Sequence, residues 1–227
     1  MVDVEREGEV ARIFLNRPEK ANALTSIMLE ELRHALEGLD ARVAVLAGRG
    51  RTFCGGADVD ELRALDAQTA PAFVSRIHDV CRTIRDLPFP VVARLHGAVI
   101  GAGLEIAAAC DLRVAAEGTK FAMPEVRLGI PSVVEAALLP RLMGSGRAAW
   151  LVLTGEAIDA RRALEWGLVE EVSPEPDLAL ARLVKSLLAA DAKALRMQKQ
   201  LLHLWEEASL STSIAASIER FAQIHPS

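Results

Sequence analysis

Tyrosine is absent from this 227-residue chain, and aromatic residues make up only 4% of it. Proteins that stack nucleobases rely on aromatic faces. Here the formal net charge is −5 and no Lys/Arg run occurs, which argues against nucleic acid as a partner. Cysteine is scarce as well: Cys54, Cys81 and Cys110 are odd in number and show no C-x-x-C spacing. That speaks against a disulfide framework or a zinc site and fits a reducing, cytoplasmic setting. No apolar stretch reaches the ~20 residues of a membrane helix before Gly, Glu, Arg or Pro interrupts it. The opening "MVDVEREGEV" is acidic and short of apolar residues, unlike a signal peptide.

What the chain does have is core. Hydrophobic residues reach 51% against 25% charged, enough for one domain, or one domain with an appendage. Strand-like runs alternate with helical ones. "VARIFLN" (10–16) alternates, "VAVLAGRG" (43–50) and "PVVARLHGAVI" (90–100) each read as one strand, and "LRVAAEGTKFAMPE" (112–125) reads as two short strands about a Gly turn. "SIMLEELRHALEGL" sets Met28, Leu32, Leu36 and Leu39 on one helical face. Ser132 and Glu135 have the S-x-x-E spacing of a capping box, while Asp159 and Gly167 suit the N-cap and C-terminal stop of a helix. After the Pro-rich "SPEPD" the sequence reads as helical to its end. The expectation is an α/β core over residues 1–173 and a helical region over 174–227.

The chemistry centres on "GAGLEIAAACDL" (101–112), which places an acid in a run that reads as a buried helix. A strand ending at Ile100 followed by Gly101-Ala102-Gly103 gives a small-residue turn, open to a ligand and backed by unpaired helical N–H groups. "GRTFCGGADVDEL" (50–62) repeats the design with Gly55, Gly56 and Ala57. Two such turns could aim two N–H groups at one developing oxyanion, provided they meet in space. Tight packing alone is the alternative for either turn. Glu105 falls in the first turn of its helix, where the macrodipole favours a carboxylate. Glu125 follows Met123-Pro124, and two carboxyls near an oxyanion site could divide acid and base work. The plainer alternative is a helix-start charge and a solvated loop residue. Cys54 stands beside a helix N-terminus, which can lower a thiol, but it has no basic neighbour.

These motifs together resemble the crotonase (enoyl-CoA hydratase/isomerase) superfamily. The segments are "LNRPEKANALTSIMLEEL" (15–32), "GRTFCGGADVDEL" (50–62), "PFPVVARLHGAVIGAGLEIAAACDLRVA" (88–115), "KFAMPEVRLGIP" (120–131) and "LTGEAIDARRALEWGLVEEV" (153–172), in family order. The resemblance implies a spiral of ββα turns followed by a helical region that builds trimers, often paired into hexamers. It implies an oxyanion hole from the N–H groups of Ala57 and Ala102, and a catalytic pair, Glu105 and Glu125. Glu125 would face C2 of an acyl-CoA and Glu105 would orient water. Coenzyme A would run past Lys20, Ala21, Ala23, Gly55, Gly56, Asp58, Val59 and Gly101, with Lys20 near a phosphate. No metal or redox cofactor is implied, since coenzyme A is part of the substrate.

Hydration of a 2-enoyl-CoA is therefore the leading expectation. The alternatives are a 3-enoyl to 2-enoyl isomerase using Glu125 alone and a non-catalytic acyl-CoA-binding member. Departures from the family pattern are also visible. "PSVVEAALLPRLMG" replaces the usual glycine-rich stretch after the second acid, with Glu135 as a possible third acid. His96 stands where Asn is common, and "ERFAQIHPS" lacks the family's closing helix.

Overall fold

The structure is a computed structural model in which residues 1–224 are described; the last three residues of "ERFAQIHPS" lie outside them. β1 (Val2–Glu7) and β2 (Val10–Leu15) pair antiparallel and lead to α1 (Ser26–Glu37). β3 (Val43–Gly48) is followed by α2 (Val59–Ala64) and α3 (Ala70–Asp86), then β4 (Val91–Leu95), β5 (Ala98–Ile100) and α4 (Ala102–Ala109). β6 (Leu112–Ala116), β7 (Lys120–Ala122), α5 (Leu139–Met143), α6 (Ser145–Thr154), β8 (Ile158–Asp159), α7 (Ala160–Trp166) and β9 (Glu171–Ser173) come next. Three helices end the chain: α8 (Pro176–Ala189), α9 (Ala192–Glu207) and α10 (Leu210–Ala222).

Two sheets run in parallel through this order. The main one is β1-β2-β3-β4-β6-β9, parallel throughout except at the β1 edge. The smaller is β5-β7-β8, extended by the bridges Cys54↔Val99 and Leu24↔Ala57. Each pass of the chain thus feeds both sheets before its helix, which is a spiral of ββα turns. The run 90–100 is accordingly not one strand. It breaks at His96-Gly97, and its halves join different sheets. The two strands in 112–125 are likewise split between sheets rather than paired as a hairpin.

Helix boundaries follow local chemistry. Thr25 caps α1 through Met28 N–H, with Met28, Leu29, Leu32 and Leu36 buried below. Asp159 caps α7, and Gly167 ends it in the left-handed conformation. α3 buries Phe73, Ile77, Val80, Cys81 and Ile84 at helical spacing against the core. The main sheet is covered on its other side by α8, whose Ala179, Leu180 and Val184 pack on Val10, Val43, Val45, Val92 and Val114. Burying such side chains stabilises by about 1.5–3 kcal/mol each. α9 docks differently: its buried residue is Lys199, whose Nζ donates to the carbonyls of Ile84 and Phe89 at 3.0 Å and pairs with Asp111 at 2.8 Å. Among the described residues no helix is long and apolar enough to cross a membrane.

Candidate active site

The bridge Cys54↔Val99 lays residues 54–57 against β5, and β5 ends at Gly101. The two small-residue turns therefore converge, and Gly55, Gly56, Ala57, Gly101 and Ala102 line one cavity of about 210 Å³. Among the described residues neither Ala57 N–H nor Ala102 N–H donates to a protein acceptor, while the N–H groups of Gly55, Asp58 and Gly101 are occupied by Ala21, Leu24 and Ala122 carbonyls. Both free donors sit where the chain has no acceptor of its own for them. Gly103 permits the close seating of α4: a Cβ there would lie 2.6 Å from Cys54 Cβ.

The loop before α2 is braced by residues whose role the sequence reading did not assign. Asn22 is fully buried at φ 54°, and its Nδ2 donates to the carbonyls of Arg49, Thr52 and Phe53. Arg17 donates to Asp58 Oδ2 at 2.6 Å and to the Ala23 carbonyl at 3.0 Å. Asp58 Oδ1 caps α2 through Asp60 and Glu61 N–H, and the Arg17 guanidinium holds its carboxyl below the ordinary value. Both Asp58 oxygens are thus engaged in holding the loop, directly after Ala57. Sidedness was the missing signal: "RPEKAN" and "GGAD" are 30 or more residues apart, and only the fold makes them neighbours.

Glu105 and Glu125 both line the cavity. Glu105 is 4% exposed, and Oε1 accepts from Ala136 N–H at 3.0 Å. Its ionisation departs from the macrodipole expectation. Burial pushes the carboxyl up to about 8, with the charges of Glu125 and Glu135 adding to the rise and the Ala136 N–H opposing it. Desolvation of a buried charge outweighs a partial charge at a helix end. At neutral pH the neutral form of Glu105 therefore dominates. Glu125 opens a 3-10 turn (Glu125–Leu128), and its Oε2 accepts from Ser132 Oγ at 2.9 Å. Ser132 is thus a support for an acid, and the expected capping box is overturned. The turn Val134–Leu138 has no side-chain cap, Val133 occupies the cap position, and Glu135 binds His78. The two partners of the motif are engaged instead by side chains distant from the turn, Glu125 and His78.

Apolar side chains complete the wall: Leu62, Phe73, Val74 and Ile77 from α2 and α3, and Leu128, Ile130, Pro131 and Val133 from the stretch that replaces the glycine-rich segment. Val59 also lines it, whereas Lys20, Ala21, Ala23 and Asp58 do not. Lys20 is exposed in the short turn Pro18–Lys20, and Ala21 touches the cavity rim through its carbonyl on Gly55 N–H at 2.8 Å. Cys54 is inert here: burial pushes its thiol up to about 12. Cys110 is buried in the core. His96 Nε2 donates to the Gly50 carbonyl at 3.1 Å, a turn contact away from the cavity. Trp150 and Trp166 pack edge to face at 5.5 Å, and Trp205 donates to Ser217 Oγ. Among the described residues no group of three His, Cys, Asp or Glu side chains is placed to hold a metal.

One substitution tests the geometry directly. Gly101 has φ 52°, and a Cβ there would run into Glu125 Oε1. Gly101→Ala is expected to displace that carboxyl by roughly an ångström and to cost about 100-fold in turnover. The protein should remain folded by circular dichroism, and unchanged turnover would refute this placement of Glu125.

Comparison with known proteins places this site in a family. The family model described as enoyl-CoA hydratase/isomerase matches residues 5–226. A short-chain-enoyl-CoA hydratase of Clostridium acetobutylicum is 33% identical, covering 98% of this chain and 88% of its own. A crotonyl-CoA hydratase of Syntrophomonas wolfei is 33% identical over 86% of this chain and 78% of its own. The crystal structure of an enoyl-CoA hydratase from Mycobacterium smegmatis superposes with a TM-score of 0.94 at 32% identity, covering 97% of this chain and 89% of that one. With two glycine-rich turns joined at one acidic cavity, in a spiral that superposes this closely, the chain belongs to the enoyl-CoA hydratase/isomerase family of the crotonase superfamily.

Proposed function

We propose that the chain hydrates the C2=C3 double bond of a 2-enoyl-CoA. The observation that carries this reading is the presence of two carboxyls and two unengaged backbone N–H groups on a single apolar cavity. Water adds its oxygen to C3, the thioester becomes an enolate, and a proton is delivered to C2. Ala57 and Ala102 N–H meet the enolate oxygen, each such donor being worth about 10²–10³ in rate. Ionised Glu105 takes the proton from water, and Glu125, held by Ser132, supplies C2. The small cavity supports a short acyl group, in keeping with the names of the two hydratase relatives. Coenzyme A lies along Lys20, Ala21, Ala23 and Gly55–Val59. The exposed apolar side chains Leu202, Trp205, Leu210, Ile214 and Ile218 on α9 and α10 support assembly into a homotrimer.

The test follows the loss of enoyl-thioester absorbance with a short-chain 2-enoyl-CoA across pH. With Glu105 as the base, kcat/KM rises about tenfold per unit below its midpoint and levels off beyond about 8. A profile that falls over the same range would exchange the roles of the two acids. No loss of absorbance would sink hydration. Retention of 3-enoyl-CoA isomerisation in Glu105→Gln would then favour the isomerase that works through Glu125.

A further inference from the structure

A third carboxylate stands behind the catalytic pair. The Glu135 side chain is 9% exposed; its Oε1 lies 2.8 Å from His78 Nδ1, and its buried Oε2 has no hydrogen-bond partner among the described residues. Its turn, Val134–Leu138, begins at φ 40° in Val134, a conformation that a β-branched residue rarely adopts. A half-satisfied buried acid on a strained turn is costly, and no cap bond accounts for it. What the turn delivers is the Ala136 N–H, the donor to Glu105 Oε1 at 3.0 Å.

We propose that Glu135 is a positioning residue for Glu105: anchored by His78, it fixes the turn that holds Glu105 and sets a second acidic side chain beside it. The groups facing Glu135 are consistent with that role. From α3 they are His78 and the buried Cys81 thiol, which Glu135 and Glu105 both help to push up. From α4 comes Glu105 itself, on which Glu125 of the same cavity lining also acts. The cation of α5, Arg141, is directed to Glu206 at 4.0 Å instead, so no Arg or Lys of α5 neutralises the cluster. The His78 side chain is 50% exposed, so the anchor of a buried acid reaches solvent. The anchoring bond and the charge act on Glu105 in opposite directions. The Ala136 N–H favours its ionised form and the Glu135 charge disfavours it.

For its catalytic consequence the inference rests on the hydration reading, but its test does not. The Glu105 side-chain carboxyl is titrated by carbon-13 NMR in the wild type and in Glu135→Gln, with the resonance assigned by its loss in Glu105→Gln. Glu135→Gln keeps the size and a hydrogen-bonding oxygen and removes the charge, so the Glu105 midpoint is expected to fall by about one pH unit. The rising limb of kcat/KM should move with it. An unmoved midpoint, even with a lowered melting temperature, overturns the proposal and leaves Glu135 a structural residue. If Glu135→Gln does not fold, Glu135→Asp withdraws the charge by one methylene; a smaller fall supports the proposal and no fall overturns it. A shifted midpoint in a protein that hydrates no enoyl-CoA supports the positioning role and sinks hydration alone.

Discussion

Glu105→Gln is expected to lose hydration by about 10³-fold and to melt higher than the wild type. The loss follows from removing the group that takes the proton from water. The gain follows from linkage. The Glu105 carboxyl sits at about 8 in the folded protein against an ordinary value of 4.5. Its stability contribution is therefore complete below about 4.5 and drains away as pH rises toward 8, because the unfolded chain ionises where the folded one resists. At pH 7 the accumulated penalty is on the order of 3 kcal/mol. Gln accepts the Ala136 N–H as Glu does but leaves an amide to satisfy, so a net gain of about 2 kcal/mol is expected. For a chain of this length that is a rise of about 4–8 °C at pH 7, vanishing near pH 5 and turning into a small loss by pH 4, where only the cost of the amide is left. Scanning calorimetry at the two pH values checks it. Equal melting temperatures at pH 7 would mean that Glu105 is not held neutral by its surroundings.

Lys199→Met is expected to be strongly destabilising although it lies outside the site, at about 3–5 kcal/mol. Lys199 is 4% exposed and serves three acceptors: Ile84 O, Phe89 O and Asp111. Methionine keeps the apolar stem but leaves the two carbonyls without this donor and takes from Asp111 its cation, with His203 Nε2 the nearest other basic group at 3.9 Å. Asp111 is tied into the sheet, accepting from Val91 N–H at 2.7 Å, so it cannot turn away to water without opening β4. Urea denaturation measures the loss. Adding Asp111→Asn, which keeps an acceptor for Val91 while removing the orphaned charge, should recover a large part of it. A single variant that costs under ~1 kcal/mol, the range of an exposed pair, would show that α9 is held by its apolar contacts instead.

The strands at 10–15 and 43–48, the helix under Thr25 and the capped α7 were legible because their signals are local: alternation, a 3.6-residue period, an N-cap and a Gly stop. α3 obeys the same rule, with Phe73, Ile77, Val80, Cys81 and Ile84 in register, but it was not among the helices read from the sequence. β1 was masked by its acidic residues, which an edge strand tolerates because only one face packs. The break at His96-Gly97 was hidden in a continuous apolar run, since strands buried in either sheet look alike. Ser132 and Glu135 carried a genuine capping signature but were engaged by longer-range partners, Glu125 and His78.

By itself the sequence determined the alternation of strands and helices, the two small-residue turns and the pair of acids at their spacing, because each depends on neighbours within a few residues. Only the tertiary structure decided that the turns share a cavity, that Asn22 and Arg17 brace one of them, and that Glu105 prefers to stay protonated. Those outcomes depend on which distant groups exclude water from a site, and burial is a property of the packed chain rather than of any segment in it.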